Sequence, residues 1–132
     1  MLHLLTKTPE EYERNLARFI TTESALLRRK ITFIDCRNTV SQYLFSRADL
    51  QPLFENLFIT RIDRPYDLLD LFRSLPKNEF VQRSHYVLVS PFEHLLEGFP
   101  PQEEKNWHRM WEKSVERLEQ TQPVHVVVMG GG

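Results

Sequence analysis

The feature of this chain that most constrains its fold is a set of five short apolar runs separated by amphipathic segments. Ile31–Asp35 is the clearest run, because it is rich in β-branched and aromatic residues and has charged residues on both sides. The other predicted strands are Leu2–Leu5, Leu57–Ile62, His85–Val89 and Val124–Met129. Parallel strands need helical crossovers, so this alternation predicts a three-layer α/β fold with a five-stranded, largely parallel sheet and helices on both faces.

Amphipathic patterns predict the helices between these strands. Thr8 can cap a helix, Pro9 suits its first position, and Glu11 completes a capping box. Further helices are predicted after the turn at Asp63–Pro65 and from about Gln102 to Glu119. One or two short helical pieces are also predicted, at Val40, Tyr43, Leu44 and Leu50–Phe54.

Length and composition indicate a single domain. With 132 residues, we predict one α/β domain over residues 1–132. The hydrophobic fraction of 41% and the nine phenylalanines are enough for a core, which argues against disorder. The 17 basic and 18 acidic residues give a net charge of −1, which argues against a protein that binds DNA by bulk charge alone.

The expected location is cytoplasmic, or nuclear in a eukaryote. Cys36 is the single cysteine, which excludes an internal disulfide and a cysteine-based zinc site and fits a reducing compartment. No apolar run approaches the length of about 18 residues that spans a membrane. The first residues lack the basic region and cleavage site of a signal peptide. The histidines show no metal-ligand spacing, so no metal site is predicted.

Polar residues follow the predicted strands, and in parallel α/β sheets ligands bind at the carboxyl ends of the strands. We therefore predict a site at this edge of the sheet. Its candidate residues are Lys7, Asp35, Arg37, Arg61, Asp63, Arg64, Ser90 and Glu93. Asp35 and Arg37 either form an ion pair across this edge or lie there as two separate exposed groups.

The order of these elements resembles the RecA-like recombinase superfamily, especially the recombinase paralogues that assist RadA-type proteins. Thr6-Lys7-Thr8 lies where that family has a phosphate loop ending in Gly-Lys-Thr. Ile31–Asp35 lies where the family has a strand ending in Ile-Asp-Thr-Glu, and Tyr86–Ser90 is similar to its Walker B strand. The resemblance covers almost the whole chain. It implies a sheet with the first strand between the fourth and fifth, and the second strand at the far edge beside the third.

The sequence departs from the family at the residues that handle ATP. A phosphate loop needs glycines so that backbone N–H groups can surround the phosphates, and none lies between Leu5 and Pro9. Ser90 stands where the Walker B acid would help to hold magnesium. Arg37 stands in place of the glutamate that activates water, and a guanidinium cannot accept a proton. The sequence therefore predicts a domain without ATPase activity and without a cofactor.

The resemblance implies a non-catalytic accessory protein of DNA recombination or repair that acts through protein–protein binding. Its expected partner is a recombinase or another paralogue, or a second copy of the chain, and no membrane partner is expected. Two alternatives stay open. One is a nucleotide-binding protein or enzyme with an altered site at the strand carboxyl ends, and the other is a scaffold subunit unrelated to DNA.

Two surface groups are candidates for contacts with partners. Arg28, Arg29 and Lys30 form either a solvated helix end or a patch that contacts nucleic-acid phosphates weakly. Trp107 and Trp111 lie four residues apart on one helix face, where they pack in the core or form a partner interface. An exposed apolar patch is predicted from some of Trp107, Trp111, Phe92, Phe99 and Phe80.

Overall fold

The computed structural model describes residues 1–38 and 55–130, and all five predicted strands lie within these ranges. The strands are β1 (Leu2–Leu5), β2 (Ile31–Asp35), β3 (Leu57–Arg61), β4 (Tyr86–Val89) and β5 (His125–Gly130). The described α-helices are α1 (Pro9–Ile20), α2 (Pro65–Ser74), α3 (Glu79–Arg83) and α4 (Pro101–Thr121). A π-helical segment, Thr21–Leu26, follows α1, and 3₁₀ turns cover Leu75–Lys77 and Glu93–Leu96. The helical pieces predicted at Val40, Tyr43, Leu44 and Leu50–Phe54 lie outside the described residues.

The five strands form one sheet in the order β1-β5-β4-β2-β3, and every neighbouring pair is parallel. The prediction of an α/β fold with a five-stranded parallel sheet is therefore confirmed. The predicted strand order is wrong in two respects. β1 lies at an edge beside β5 instead of between the fourth and fifth strands, and β2 lies between β4 and β3 instead of at the far edge.

The connections that leave β2 and β4, two neighbouring strands, run in opposite directions across the sheet. The connections from β1 to β2 and from β2 to β3 run toward one edge, whereas those from β3 to β4 and from β4 to β5 run toward the other. Numbered from β2, with β1 counted last, the order is 2-1-3-4-5, which is the strand order of flavodoxin-like sheets. In such sheets the crevice for a ligand opens at the reversal, and here that point lies between the carboxyl ends of β2 and β4.

Alternate side chains of the strands enter two separate apolar clusters. Ile31 and Phe33 of β2 pack with Tyr12, Leu16 and Ile20 of α1. Ile34, from the other face of the same strand, packs with buried residues of α2, α3 and α4. Since neighbouring residues of a strand point to opposite faces, α1 covers one face of the sheet and the later helices cover the other.

Trp107 and Trp111 of α4 belong to the core, which is the first of the two alternatives that the sequence leaves open for these residues. They are 0% and 3% exposed, and their rings stack with centroids 5.8 Å apart. Trp107 Nε1 donates a hydrogen bond to the backbone oxygen of Pro65 at 2.9 Å, which ties α4 to the start of α2. Phe92 is buried against both rings, so of the five residues predicted to form an apolar patch only Phe80 is strongly exposed.

One further difference concerns the segment after α2. The sequence predicts that Pro76–Asn78 ends the helix, and the chain does leave α2 there, but it then forms the short helix α3. Asn78 caps α3, because its Oδ1 atom accepts hydrogen bonds from the N–H groups of Phe80 and Val81.

Within residues 1–38 and 55–130, the structure contains no helix with the length and apolar character needed to cross a bilayer.

Candidate functional site

The loops that follow β2 and β4 are joined at the point where the strand order reverses. Cys36 N donates a hydrogen bond to Ser90 Oγ at 2.6 Å, and Ser90 N donates to Ile34 O at 3.0 Å. The Nε2 atom of His94 lies 2.8 Å from Cys36 O, within hydrogen-bond distance. The backbone around Cys36 is therefore held from the β4 side on both its N–H and its carbonyl group.

Asp35 is buried beneath this junction, with 1% of its surface exposed. Its Oδ1 atom accepts a hydrogen bond from the backbone N–H of Arg37 at 3.0 Å. The observed contact between these two residues thus involves the Arg37 backbone, while the Arg37 side chain is exposed and lines a pocket. Asp35 acts here as a group that shapes the turn after β2.

The turn after β1 contains the helix start that the sequence predicts. Thr8 Oγ1 accepts a hydrogen bond from Glu11 N at 3.1 Å, and Pro9 is the first residue of α1. In the predicted capping box, the Glu11 carboxylate would accept a hydrogen bond from the backbone N–H of Thr8. In the structure its Oε2 atom instead accepts from Lys7 N, one residue earlier, at 3.2 Å. A carboxylate of the chain itself therefore occupies backbone donors that a phosphate loop would offer to a nucleotide.

A pocket of about 370 Å³ opens at this edge of the sheet, and we call it the carboxyl-edge pocket. It brings together Lys7, Arg37 and Glu93, three of the eight residues predicted for the site. The remaining lining residues are Thr6, Thr8, Pro9, Tyr12 and Pro91. Of these, Thr6 follows β1 directly and Tyr12 lies one turn beyond the Thr8 cap, so the position of the predicted turn could have indicated both.

Glu93 is positioned by the end of β5. A methyl group added at Gly130 would lie 2.6 Å from Glu93 Oε1, closer than side-chain atoms normally approach. The carboxylate thus occupies the space beside Gly130 that any other residue would fill. This arrangement places one negative charge in a pocket that also contains two positive side chains.

The other predicted site residues lie elsewhere along the same edge. Ser90 is fully buried in the junction described above. Arg61, Asp63 and Arg64 are all exposed, and they lie outside the lining of the carboxyl-edge pocket. Arg61 is the last residue of β3, and the other two follow this strand. β3 lies four strand spacings, or about 19 Å, from β1.

The basic group Arg28–Lys30 lies at the amino ends of the strands, opposite the carboxyl-edge pocket, because it precedes β2 whereas Arg37 follows it. Arg29 already forms an ion pair with Glu23, with 2.9 Å between Nη1 and Oε2. Arg28–Lys30, the group predicted to contact nucleic acid, is separated from Arg37 by roughly 20 Å along β2, at about 3.3 Å per residue. They do not form one continuous patch.

The Cys36 thiol is poorly suited to nucleophilic chemistry. Its pKa is raised from 9.0 to about 12, and burial is the largest cause. The hydrogen bond with the Ser90 hydroxyl lowers the pKa in part, and the charges of Asp35 and Glu93 add to the rise. The thiolate is the reactive form of cysteine, and at neutral pH this thiol stays protonated. The structure therefore indicates a structural role for Cys36.

Among the described residues, no group of three or more His, Cys, Asp and Glu side chains is arranged to hold a metal ion. A scan of the sequence against protein-family models finds no matching family. A search of curated proteins finds no match either.

Proposed function

We propose that this chain is a non-catalytic binding domain that holds an anionic group of its ligand or partner in the carboxyl-edge pocket. One observation carries the proposal: Lys7 and Arg37, from the ends of β1 and β2, line the same pocket. Three strand spacings, about 14 Å, separate β1 from β2. The two cations are thus spaced to contact different sides of one ligand.

The charges of the lining favour an anion. Lys7 and Arg37 outnumber Glu93, so the formal charge of the lining side chains is +1. The hydroxyl groups of Thr6 and Thr8 belong to the same lining and can donate hydrogen bonds. The start of α1 adds the partial positive charge of a helix N-terminus.

The same residues support a binding role without catalysis. A guanidinium offers only hydrogen-bond donors, so Arg37 cannot accept a proton from a ligand. The raised pKa of the Cys36 thiol makes this residue a poor nucleophile. The Glu11 carboxylate occupies the backbone donor of Lys7, which weakens any site for the phosphates of Mg-ATP.

The role in DNA recombination or repair, and the recombinase partner, stay predictions. They rest on the resemblance to RecA-like proteins, and the strand order implied by that resemblance is not the order observed. A function based on the carboxyl-edge pocket does not depend on that resemblance.

The test is an NMR titration of the ¹⁵N-labelled chain with inorganic phosphate at low ionic strength. We expect shifts at Lys7, Thr8 and Arg37, with a Kd of about 1 mM, equivalent to about −4 kcal/mol. Replacing both Lys7 and Arg37 by alanine should abolish these shifts, whereas Lys113→Ala on the exposed side of α4 should not. Phosphate shifts that persist in the double variant would contradict the proposal.

The Glu93→Gln variant tests whether the pocket prefers a ligand with negative charge. Removing a like charge from the pocket should tighten phosphate binding by a factor of about 1.4 to 5, since exposed charge pairs contribute about 0.2–1 kcal/mol. Weaker binding in this variant would show that the ligand prefers the carboxylate, against our proposal. A Kd for Mg-ATP in the low micromolar range, about −8 kcal/mol, would likewise overturn the non-catalytic reading.

A further inference from the structure

We propose a second binding site at the amino edge of the sheet, where the chain receives an aromatic side chain of a partner protein that carries acidic residues beside that aromatic residue. The site is a pocket of about 140 Å³ at the start of β2 and β3, which we call the amino-edge pocket. Its apolar walls are Ile31, Leu57, Phe58 and Phe80. It lies at the opposite end of the strands from the carboxyl-edge pocket, so the two proposals are independent.

Phe80 presents an open ring face to this pocket. Its ring stacks on Phe58, with centroids 4.1 Å apart and planes 9° from parallel, and yet 52% of Phe80 is exposed. A ring that is covered on one face and half exposed overall offers its other face to solvent. Aromatic rings in such positions bind a further ring by stacking or by edge-to-face contact.

The residues around Phe80 hold its backbone in place before any partner binds. Asn78 Oδ1 accepts from Phe80 N at 2.9 Å, and Ser84 Oγ donates to Phe80 O at 2.7 Å. Ser84 Oγ also lies 2.8 Å from Thr32 Oγ1 in β2. Val81, next to Phe80, is fully buried. Because α3 is fixed at both ends and anchored to the sheet, little backbone freedom remains to be lost on binding.

The volume of the pocket limits the size of its occupant. A protein cavity of about 150 Å³ is enough for a single benzene ring. The amino-edge pocket, at about 140 Å³, therefore accepts one six-membered ring and not a whole nucleotide. A phenylalanine or tyrosine side chain fits both the volume and the apolar walls.

The charges at the rim select the residues beside that ring. Lys30 and Arg83 both line the pocket and are exposed, whereas Glu55 is the one acidic side chain of the described lining. The formal charge of these side chains is +1, so carboxylates of a partner on either side of its aromatic residue are attracted to the rim. Electrostatic complementarity of this kind favours an acidic partner segment over a basic one.

The test uses an acetylated and amidated peptide, Asp-Glu-Phe-Glu-Asp, titrated into the ¹⁵N-labelled full chain at low ionic strength. We expect the largest shifts at Phe58, Phe80 and Arg83. A peptide with alanine in place of phenylalanine should bind at least tenfold more weakly. A peptide with lysines in place of the acidic residues should not bind the native chain.

Matched variants separate a specific site from general stickiness. Phe80→Ala should weaken peptide binding at least tenfold, whereas Tyr66→Ala, which removes another exposed aromatic ring, should leave it unchanged. Arg83→Glu combined with Lys30→Glu should lose the acidic peptide and gain the lysine peptide. Circular dichroism should show that each variant is folded, which is expected because Phe80, Lys30 and Arg83 are all exposed.

Three outcomes would overturn the proposal. The first is an acidic peptide that shifts no residue of the amino-edge pocket, and the second is an equal loss of binding in Phe80→Ala and Tyr66→Ala. The third is a single-stranded oligothymidine that shifts Phe80 and Arg83 at lower concentration than the peptide does. That last result would assign the pocket to nucleic acid instead of a protein partner.

Discussion

The backbone N–H of Cys36 and the hydroxyl of Ser90, 54 positions apart in the chain, form a buried hydrogen bond of 2.6 Å between the ends of β2 and β4. In this chain the serine joins two loops at the reversal of the strand order. Its role in the described structure is to hold the carboxyl edge together.

Replacing Ser90 by alanine should destabilise the fold. The change leaves the buried N–H of Cys36 without an acceptor, which costs about 1–3 kcal/mol. Urea unfolding of the two proteins measures this difference. Ser74→Ala is the control, because that hydroxyl bonds the carbonyl of Leu71 on an exposed helix and its loss should change stability by less than about 0.5 kcal/mol. Equal stability of Ser90→Ala and the native chain would show that the bond contributes nothing.

The stability of the chain should fall above pH 9 because of Cys36. Burial raises the pKa of this thiol from 9.0 to about 12, so between these values the unfolded chain has released the proton and the folded chain has kept it. The unfolded state then binds fewer protons, and the free energy of unfolding decreases as pH rises through this window. The measurement is chemical unfolding at pH 8, 9.5 and 10.5.

The control for this pH dependence is Cys36→Ala, which removes the thiol but keeps the lysines and tyrosines that also titrate there. Its free energy of unfolding should decline less steeply than that of the native chain. Identical slopes would mean that the folded thiol ionises as readily as the unfolded one. Slow reaction of native Cys36 with iodoacetamide at pH 8, and fast reaction in urea, should accompany the slope difference.

The tryptophans of α4 should behave as core residues. Trp107→Ala and Trp111→Ala each remove a buried ring, which typically costs about 3–5 kcal/mol. Trp107→Phe should cost less, but it also leaves the Pro65 carbonyl without its hydrogen bond. Thermal unfolding measures all three. Phe80→Ala is the contrast, since half of that ring is exposed and its loss should cost clearly less. Folded, stable alanine variants at Trp107 and Trp111 would restore the interface prediction.

Binding to DNA should be weak and lost at physiological salt. The two basic groups, around Lys30 and Arg37, lie at opposite edges of the sheet, and Arg29 is paired with Glu23. A single strand would therefore contact only a few cations at once, and each phosphate contact contributes a salt slope of about −0.7. Fluorescence anisotropy with a labelled oligonucleotide at 20 and 150 mM salt is the measurement. Nanomolar affinity at the higher salt would show a nucleic-acid surface that the described residues do not form.

The sequence was sufficient to predict which residues lie at the carboxyl ends of the strands, but not which of them share a pocket. In an all-parallel sheet the carboxyl ends of all strands meet at one edge, whatever the strand order, so Lys7, Arg37 and Glu93 could be predicted together. Which residues share a pocket depends on the order. Because β3 lies farthest from β1, Arg61 and Arg64 do not join Lys7.

The position of β1 illustrates why the strand order was missed. Leu2–Leu5 is as apolar in sequence as a central strand, yet Leu2 and Leu5 are more than half exposed at the edge. Strand order depends on long-range packing of α1 and α4, which local patterns do not encode. The burial of Trp107 was undecided for a related reason, since its helix face became a core face only through contact with α2.

The pairing of β1 with β5 has a consequence for how the chain is made. β1 finds its hydrogen-bonding partner about 120 residues later in the sequence, after every other strand has been translated. At a ribosomal rate of about 5–20 residues per second, the segment Leu2–Leu5 waits roughly 6–25 s without a neighbour. During that interval its leucines are open to chaperones and to mispairing with other nascent chains, because β1 cannot pair with β5 until β5 has been made.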